Sequence, residues 1–149
     1  MKTQVLSVGQ MKHLQEFGVD TSKAKMSYYA TYESEPHWYN TLRERDNIFD
    51  NNYPHMPTFT LQDMLEMIPE SITSDNILYH FELLKLGSST YSIGYKGIID
   101  KIVDENNIDE TSTIKYHILL WNKNLLTCAY ETLCWLAENN YIGGNDESK

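Results

Sequence analysis

Histidine, cysteine and carboxylate build most metal and catalytic sites, and this chain carries five histidines: His13, His37, His55, His80 and His117. None has a second histidine two or four residues on. Neither a His-Glu-x-x-His run nor a Cys-x-x-Cys pair occurs, so the spacings that set two ligands on one metal are missing. Glu33-Ser-Glu-Pro-His37 is the densest group of ligand types, but a proline sits inside it. No metal and no cofactor is expected.

The two cysteines, Cys128 and Cys134, fall in one helical stretch. Six positions apart on a helix, they stand ~9 Å apart along the axis and ~120° apart around it. That geometry rules out a disulfide between them and leaves reduced thiols. Both lie mid-helix, away from the N-terminal turn that stabilises a thiolate. No Gly-x-Ser-x-Gly elbow is present, and the glycine-containing runs Gly87-Ser-Ser-Thr and Gly94-Tyr-Lys-Gly97 do not open a helix as a phosphate loop does. No catalytic residue is therefore assigned.

The best polar constellation is His80 and Glu82, which alternate onto one strand face with Lys96 opposite them. It reads either as the solvent face of a hairpin or as part of a small pocket lined by Tyr and His. Asp100, Asp104, Glu105, Asp109 and Glu110 crowd another short stretch. They lack the loop spacing of a calcium site and read as a solvated charge run.

Twelve Lys and Arg against 21 Asp and Glu give a formal charge of −9. A binder of phosphate backbones needs clustered cations, so no nucleic-acid partner is expected, and an anionic membrane surface is equally disfavoured. No apolar run approaches the roughly 18 residues of a membrane span, and the first residues hold no apolar stretch fit for a signal peptide. A cytoplasmic setting and no membrane partner follow. At 149 residues, 41% of them apolar, the chain is expected to form a single domain over 1–149, its polar tail frayed from about 143.

The elements that must position these residues are legible in places. Ser7 and Gln10 have the capping-box spacing, Leu6 and Met11 the staple spacing, and Gly18 suits a helix end, so a helix is expected over Val8 to Phe17. Lys25 to Tyr32 reads as a strand, and His37 to Leu42 as a second short one. The rest of 33–57 has no clear period. Thr60 and Asp63 cap a second helix that Pro69 ends. Residues 77–86 and 90–97 alternate as the arms of a hairpin, and an odd-length loop pairs Leu83 with Ile93, Phe81 with Tyr95 and His80 with Lys96. Ile98, Ile99, Ile102 and Val103 suit a short amphipathic helix to about Asn106. Thr111 to Trp121 reads as a strand.

The final helix, 124–141 with Asn122 or Asn124 as its cap, is the main wall of the core. Leu125, Leu126, Ala129, Leu133, Leu136 and Ala137 share one arc of it. Cys128 and Trp135 fall on the other side, with Asn139 near them. That side is either covered by another element or an interface. The fold expected is α+β: an antiparallel sheet of three to five strands packed by N-terminal and C-terminal helices.

Three stretches, Met1 to Ser22, Thr60-Leu-Gln-Asp-Met-Leu-Glu-Met-Ile-Pro69 and Ala129-Tyr-Glu-Thr-Leu-Cys-Trp-Leu-Ala-Glu-Asn-Asn-Tyr-Ile142, resemble small uncharacterised proteins of gut Bacteroides and of their phages and mobile elements. The resemblance covers about a third of the chain. It implies a bacterial, mobile-element setting and carries over no catalytic or binding residue. The function expected is that of a non-enzymatic accessory or interaction protein whose partner is a second copy or an unidentified protein, with Trp135, Cys128 and Asn139 as the interface. The alternative is a small enzyme or ligand-binding module with a Tyr/His-lined pocket using His80 and Glu82.

Overall fold

The computed structural model describes residues 4–32, 38–104 and 107–142, and over 99–104 and 107–113 it describes the backbone alone. The chain groups into two compact units, one running to Ile68 and resuming at Ala129, the other Pro69–Cys128. Both contain antiparallel strands, and helices accompany them, as an α+β chain requires.

In the first unit, α1 (Val8–Glu16) begins where Ser7 accepts from the Gln10 amide and Gln10 answers at the Ser7 amide. It ends in a Schellman turn: Gly18 takes a φ of 83°, its amide bonds Gln15, and the Val19 amide reaches back to Leu14. Only glycine adopts that φ without steric cost. Then β1 (Met26–Tyr29) is flanked by β2 (Thr41–Glu44) and β3 (His55–Thr58) in the order β2-β1-β3. The second strand thus lies at 41–44, beyond most of the 37–42 expected, and His37 is outside the described residues. Between β2 and β3 a short helix, α2 (Asn47–Asn52), is capped by Asp46, whose carboxylate accepts from the Phe49 amide. A capping box of Thr60 and Asp63 starts α3 (Leu61–Met67).

Most of α4 (Leu125–Glu138) belongs to this unit. Asn124 accepts from the Thr127 amide at its start. Its end is another Schellman turn, with Asn140 at a φ of 63° and the Tyr141 amide bonded to Leu136. The wholly buried side chains of the unit include Leu6, Met11, Leu14, Tyr29, Phe59, Met64, Leu133 and Leu136. Burial of each aliphatic one contributes about 1.5–3 kcal/mol before entropy is charged against it.

The second unit is a meander: β4 (Ser71–Ser74), β5 (Ile77–Leu86), β6 (Thr90–Asp104) and β7 (Asn107–Asn122), in the order β4-β5-β6-β7. Asp75 and Asn76 join β4 to β5 with φ values of 52° and 64°, the left-handed pair that a two-residue hairpin turn demands. The β5–β6 register places Leu83 against Ile93, Phe81 against Tyr95 and His80 against Lys96, as the alternation of the two arms requires. The helix expected at 98–106 is not formed. β6 continues as strand through Asp104, because its β-branched Ile and Val run finds a partner in β7. Residues 105–106 lie outside the described part. Pairing of β5 with β6 stops at Tyr79–Gly97, while β6 and β7 stay paired from Ile98–Ile114 to Asp104–Asn107. Beyond Gly97 the sheet is thus reduced to a two-stranded ribbon.

Candidate functional site

The polar residues singled out on the hairpin do converge. On β5 the side chains of Leu78, His80, Glu82 and Leu84 alternate onto one face, and the register brings Lys96 of β6 opposite His80. Lys96 Nζ lies 3.5 Å from Glu82 Oε2. The other carboxylate oxygen, Oε1, accepts from Tyr116 Oη at 2.8 Å. That bond to a carboxylate, then burial and the negative charge, raises the Tyr116 phenol above its ordinary value. His80 is exposed beside this trio. Tyr116 reaches the face through a bulge: Tyr95 pairs with Ile118 but Lys96 with Tyr116, so His117 is the extra residue.

Around the charged centre stand large apolar side chains. Leu78, Leu84, Ile98, Ile114 and Trp121 are 51, 41, 64, 56 and 57% exposed. The register holds them on the same face, since Ile98 pairs with Ile114 and Ser92 pairs with both Leu84 and Trp121. Chemically, the arrangement holds a neutralised carboxylate with both oxygens engaged. It presents a surface rather than a reaction centre.

The candidates on α4 do not form a patch. Cys128 is wholly buried and its thiol donates to the Leu120 carbonyl at 3.6 Å, so it presents nothing outward. Trp135 is half-buried and stacked on Tyr141, ring centres 5.4 Å apart, which the Schellman turn swings back over it. Asn139 is exposed, and its amide group donates to the Trp135 carbonyl at 2.8 Å. On the side left unexplained by the apolar stripe, Tyr141 thus stacks on the Trp135 ring, while the Cys128 thiol meets the Leu120 carbonyl of β7.

Three features of the first unit went unread in the sequence. Asp50 accepts from Tyr29 Oη at 2.5 Å and from Arg45 Nη2 at 3.1 Å, while His55 Nε2 lies 3.9 Å away. Burial pushes the Asp50 carboxyl up, but the Tyr29 hydroxyl and the Arg45 guanidinium outweigh it and hold it below its ordinary value. Burial, joined by the bond to Asp50, drives Tyr29 up to about 12. A depression of about 510 Å³ opens beside this network, lined by Ala24, Lys25, Glu44, Arg45, Asp46, Asn47 and Asp50. A second, about 390 Å³, is lined by Lys23, Phe59, Asp63, Glu66 and Met67.

The third feature joins α1 to α4. His13 Nδ1 lies 2.7 Å from Tyr130 Oη and 4.0 Å from Cys134 Sγ. A thiol near an imidazole suggests nucleophilic chemistry, but burial raises the Cys134 thiol, with Glu138 and Glu131 adding to it against the Tyr130 bond. A thiol held protonated is a poor nucleophile. The i, i+4 spacing of Tyr130 and Cys134 was visible; their partner is far away in the chain.

Against known proteins the chain finds no match among family models, curated proteins or solved structures. The local geometry is therefore the ground for a functional reading. Among the described residues no group of three or more His, Cys, Asp or Glu is placed to hold a metal ion, and no helix is long and apolar enough to cross a membrane.

Proposed function

We propose that the chain is a non-enzymatic interaction protein acting in the cytoplasm, and that it binds another protein through the Leu78/Glu82/Trp121 face of the second unit's sheet. One observation carries this reading: five large apolar side chains stand exposed around a carboxylate already satisfied by Lys96 and Tyr116. Apolar side chains gathered in this way, with polar groups among them, are the usual composition of a protein-binding surface. The likeness of the helices to Bacteroides and phage proteins adds a bacterial, mobile-element setting to the proposal. The rival, a small enzyme or ligand module with a Tyr/His-lined pocket, has less support, since neither depression described above has Tyr or His in its lining.

The test is co-purification of the tagged chain with and without Leu84→Glu and Trp121→Glu, both on the exposed face and away from the Glu82 trio. A protein captured by the wild type and lost from the doubly substituted, still folded chain supports the reading. An unchanged set of captured proteins overturns it.

A further inference from the structure

We propose that the depression beside α3 is a binding site for a small molecule that carries a primary ammonium group on an apolar body. It lies wholly in the first unit, whereas the sheet face proposed above belongs to the second, so either reading stands or falls without the other.

Its volume of about 390 Å³ falls within the range that small ligands occupy. Phe59 and Met67 supply the apolar part of the lining, and the Met67 thioether favours contact with an aromatic ring. Asp63 supplies the polar centre. The residue is only 6% exposed, and its Oδ2 accepts from the Thr60 amide at 3.0 Å and from the Lys25 amide at 3.4 Å. Two main-chain donors from separate segments thus hold the carboxylate in place. Oδ1 has no hydrogen-bond partner among the described residues. It is not sealed in either, because among those residues the buried side-chain oxygen without a partner is Ser27 Oγ alone. A carboxylate oxygen held rigid, largely desolvated and open to a cavity is an acceptor for a cationic donor.

The charges of the lining select the sign of the ligand. One turn further along α3, Glu66 adds a second carboxylate, whose Oε1 accepts from the Gln62 side chain at 3.0 Å. Lys23 is the one basic residue of the lining, and its charge is already attracted by Asp20. Two acids against one base leave the lining net negative, and the chain's own charge of −9 draws cations towards it. The depression of about 510 Å³ is larger, but its central carboxylates are spent on the fold. Both oxygens of Asp46 accept, one from the Phe49 amide and one from Arg43. Both oxygens of Asp50 accept as well, one from Tyr29 and one from Arg45. Asp63 differs in keeping one oxygen open.

The experiment is titration of the isotope-labelled full chain with phenethylammonium, followed by amide NMR. The amides of Lys23, Asp63, Glu66 and Met67 are expected to shift together and to saturate at roughly millimolar ligand. Phenethyl alcohol, the same body without the charge, is expected to bind about tenfold more weakly or worse. Asp63→Asn keeps an oxygen for the two main-chain amides and turns a donor towards the cavity. It is expected to lose about tenfold or more in Kd, with the circular dichroism of the wild type. Glu66 is exposed, so Glu66→Gln leaves folding intact and keeps the test decisive; it is expected to cost about threefold. No saturable shift at these amides, equal binding of amine and alcohol, or full binding by both variants would each overturn the proposal. Butylammonium copies a lysine side chain. If it bound more tightly than phenethylammonium, the site would be built for a lysine of another protein, and the small-molecule assignment would fall.

Discussion

The ring of Tyr79 lies across Gly97, its Cδ1 and Cε1 2.8 and 2.9 Å from where a β-carbon on the glycine would stand. Tyr79 is almost wholly buried, and its ring also lies against the His117 ring, centre to centre 5.0 Å. The glycine is therefore the floor on which a buried aromatic rests. Gly97→Ala is expected to cost about 1–3 kcal/mol by overpacking. Gly94→Ala is expected to cost more, because the added carbon meets the Ile118 carbonyl at 2.8 Å, backbone that cannot yield without loosening β6 from β7. Urea unfolding midpoints of the two variants rank them, and the opposite order would refute this account.

The Tyr29–Asp50–Arg45 network makes stability depend on pH at both ends. Tyr29 ionises at about 12 in the folded chain, above its ordinary value of 10.0. Its contribution is whole below the ordinary value and is lost as pH rises through the folded one. Asp50 is held below its ordinary 3.8, so its contribution is present above that value and lost as pH falls through the depressed one. Tyr29→Phe is expected to cost about 1.5–3 kcal/mol near neutral pH, the worth of a hydrogen bond to a charged group. It should also flatten both the alkaline and the acid decline. Denaturation midpoints from acid to alkaline pH, compared with the wild type, provide the check.

Ser27 is wholly buried on β1, and its hydroxyl finds no hydrogen-bond partner among the described residues. An unpaired buried hydroxyl carries its desolvation penalty with no return. Ser27→Ala should leave stability unchanged or raise it by up to about 1 kcal/mol. A loss greater than that, measured by thermal or urea unfolding, would mean the hydroxyl has a partner after all.

Cys128 and Cys134 are both buried thiols outside any disulfide, and burial raises the Cys134 thiol. Labelling with an aromatic disulfide at neutral pH is expected to be at least about tenfold slower in the folded chain than after unfolding in urea. Fast labelling of Cys134 in the native chain would instead indicate an activated thiol beside His13.

How much of this was legible depends on whether a local rule decided the outcome. The caps of α1 and α3 are written in Ser7, Gln10, Thr60 and Asp63, and the hairpin register in the alternation of 77–86 and 90–97. The structure has each of these. α2 was missed because Asp50-Asn51-Asn52 also spells a turn, and the cap at Asp46 had too short a helix behind it to stand out. The misread helix at 98–106 is a short apolar run that fits either period, and a partner strand decided the matter. For the candidate site, Glu82 and Lys96 were placed by parity. Tyr116 was not, because Ile114, Tyr116, Ile118 and Leu120 alternate as one face until a bulge at His117 breaks the count. Nothing local marks that bulge.

The division of the chain also bears on the order in which its parts can form during synthesis. Pro69–Cys128 is one unbroken stretch, whereas the other unit needs residues from Ala129 onward, Leu133 and Leu136 among its buried side chains. On a ribosome the meander can close as soon as its last strand has emerged. The amino-terminal half, though made first, lacks the buried Leu133 and Leu136 of its own unit until the last helix is released. Truncation before Ala129 should therefore leave the amino-terminal half dependent on chaperones while sparing the sheet, a difference that limited proteolysis of nascent chains of increasing length would reveal.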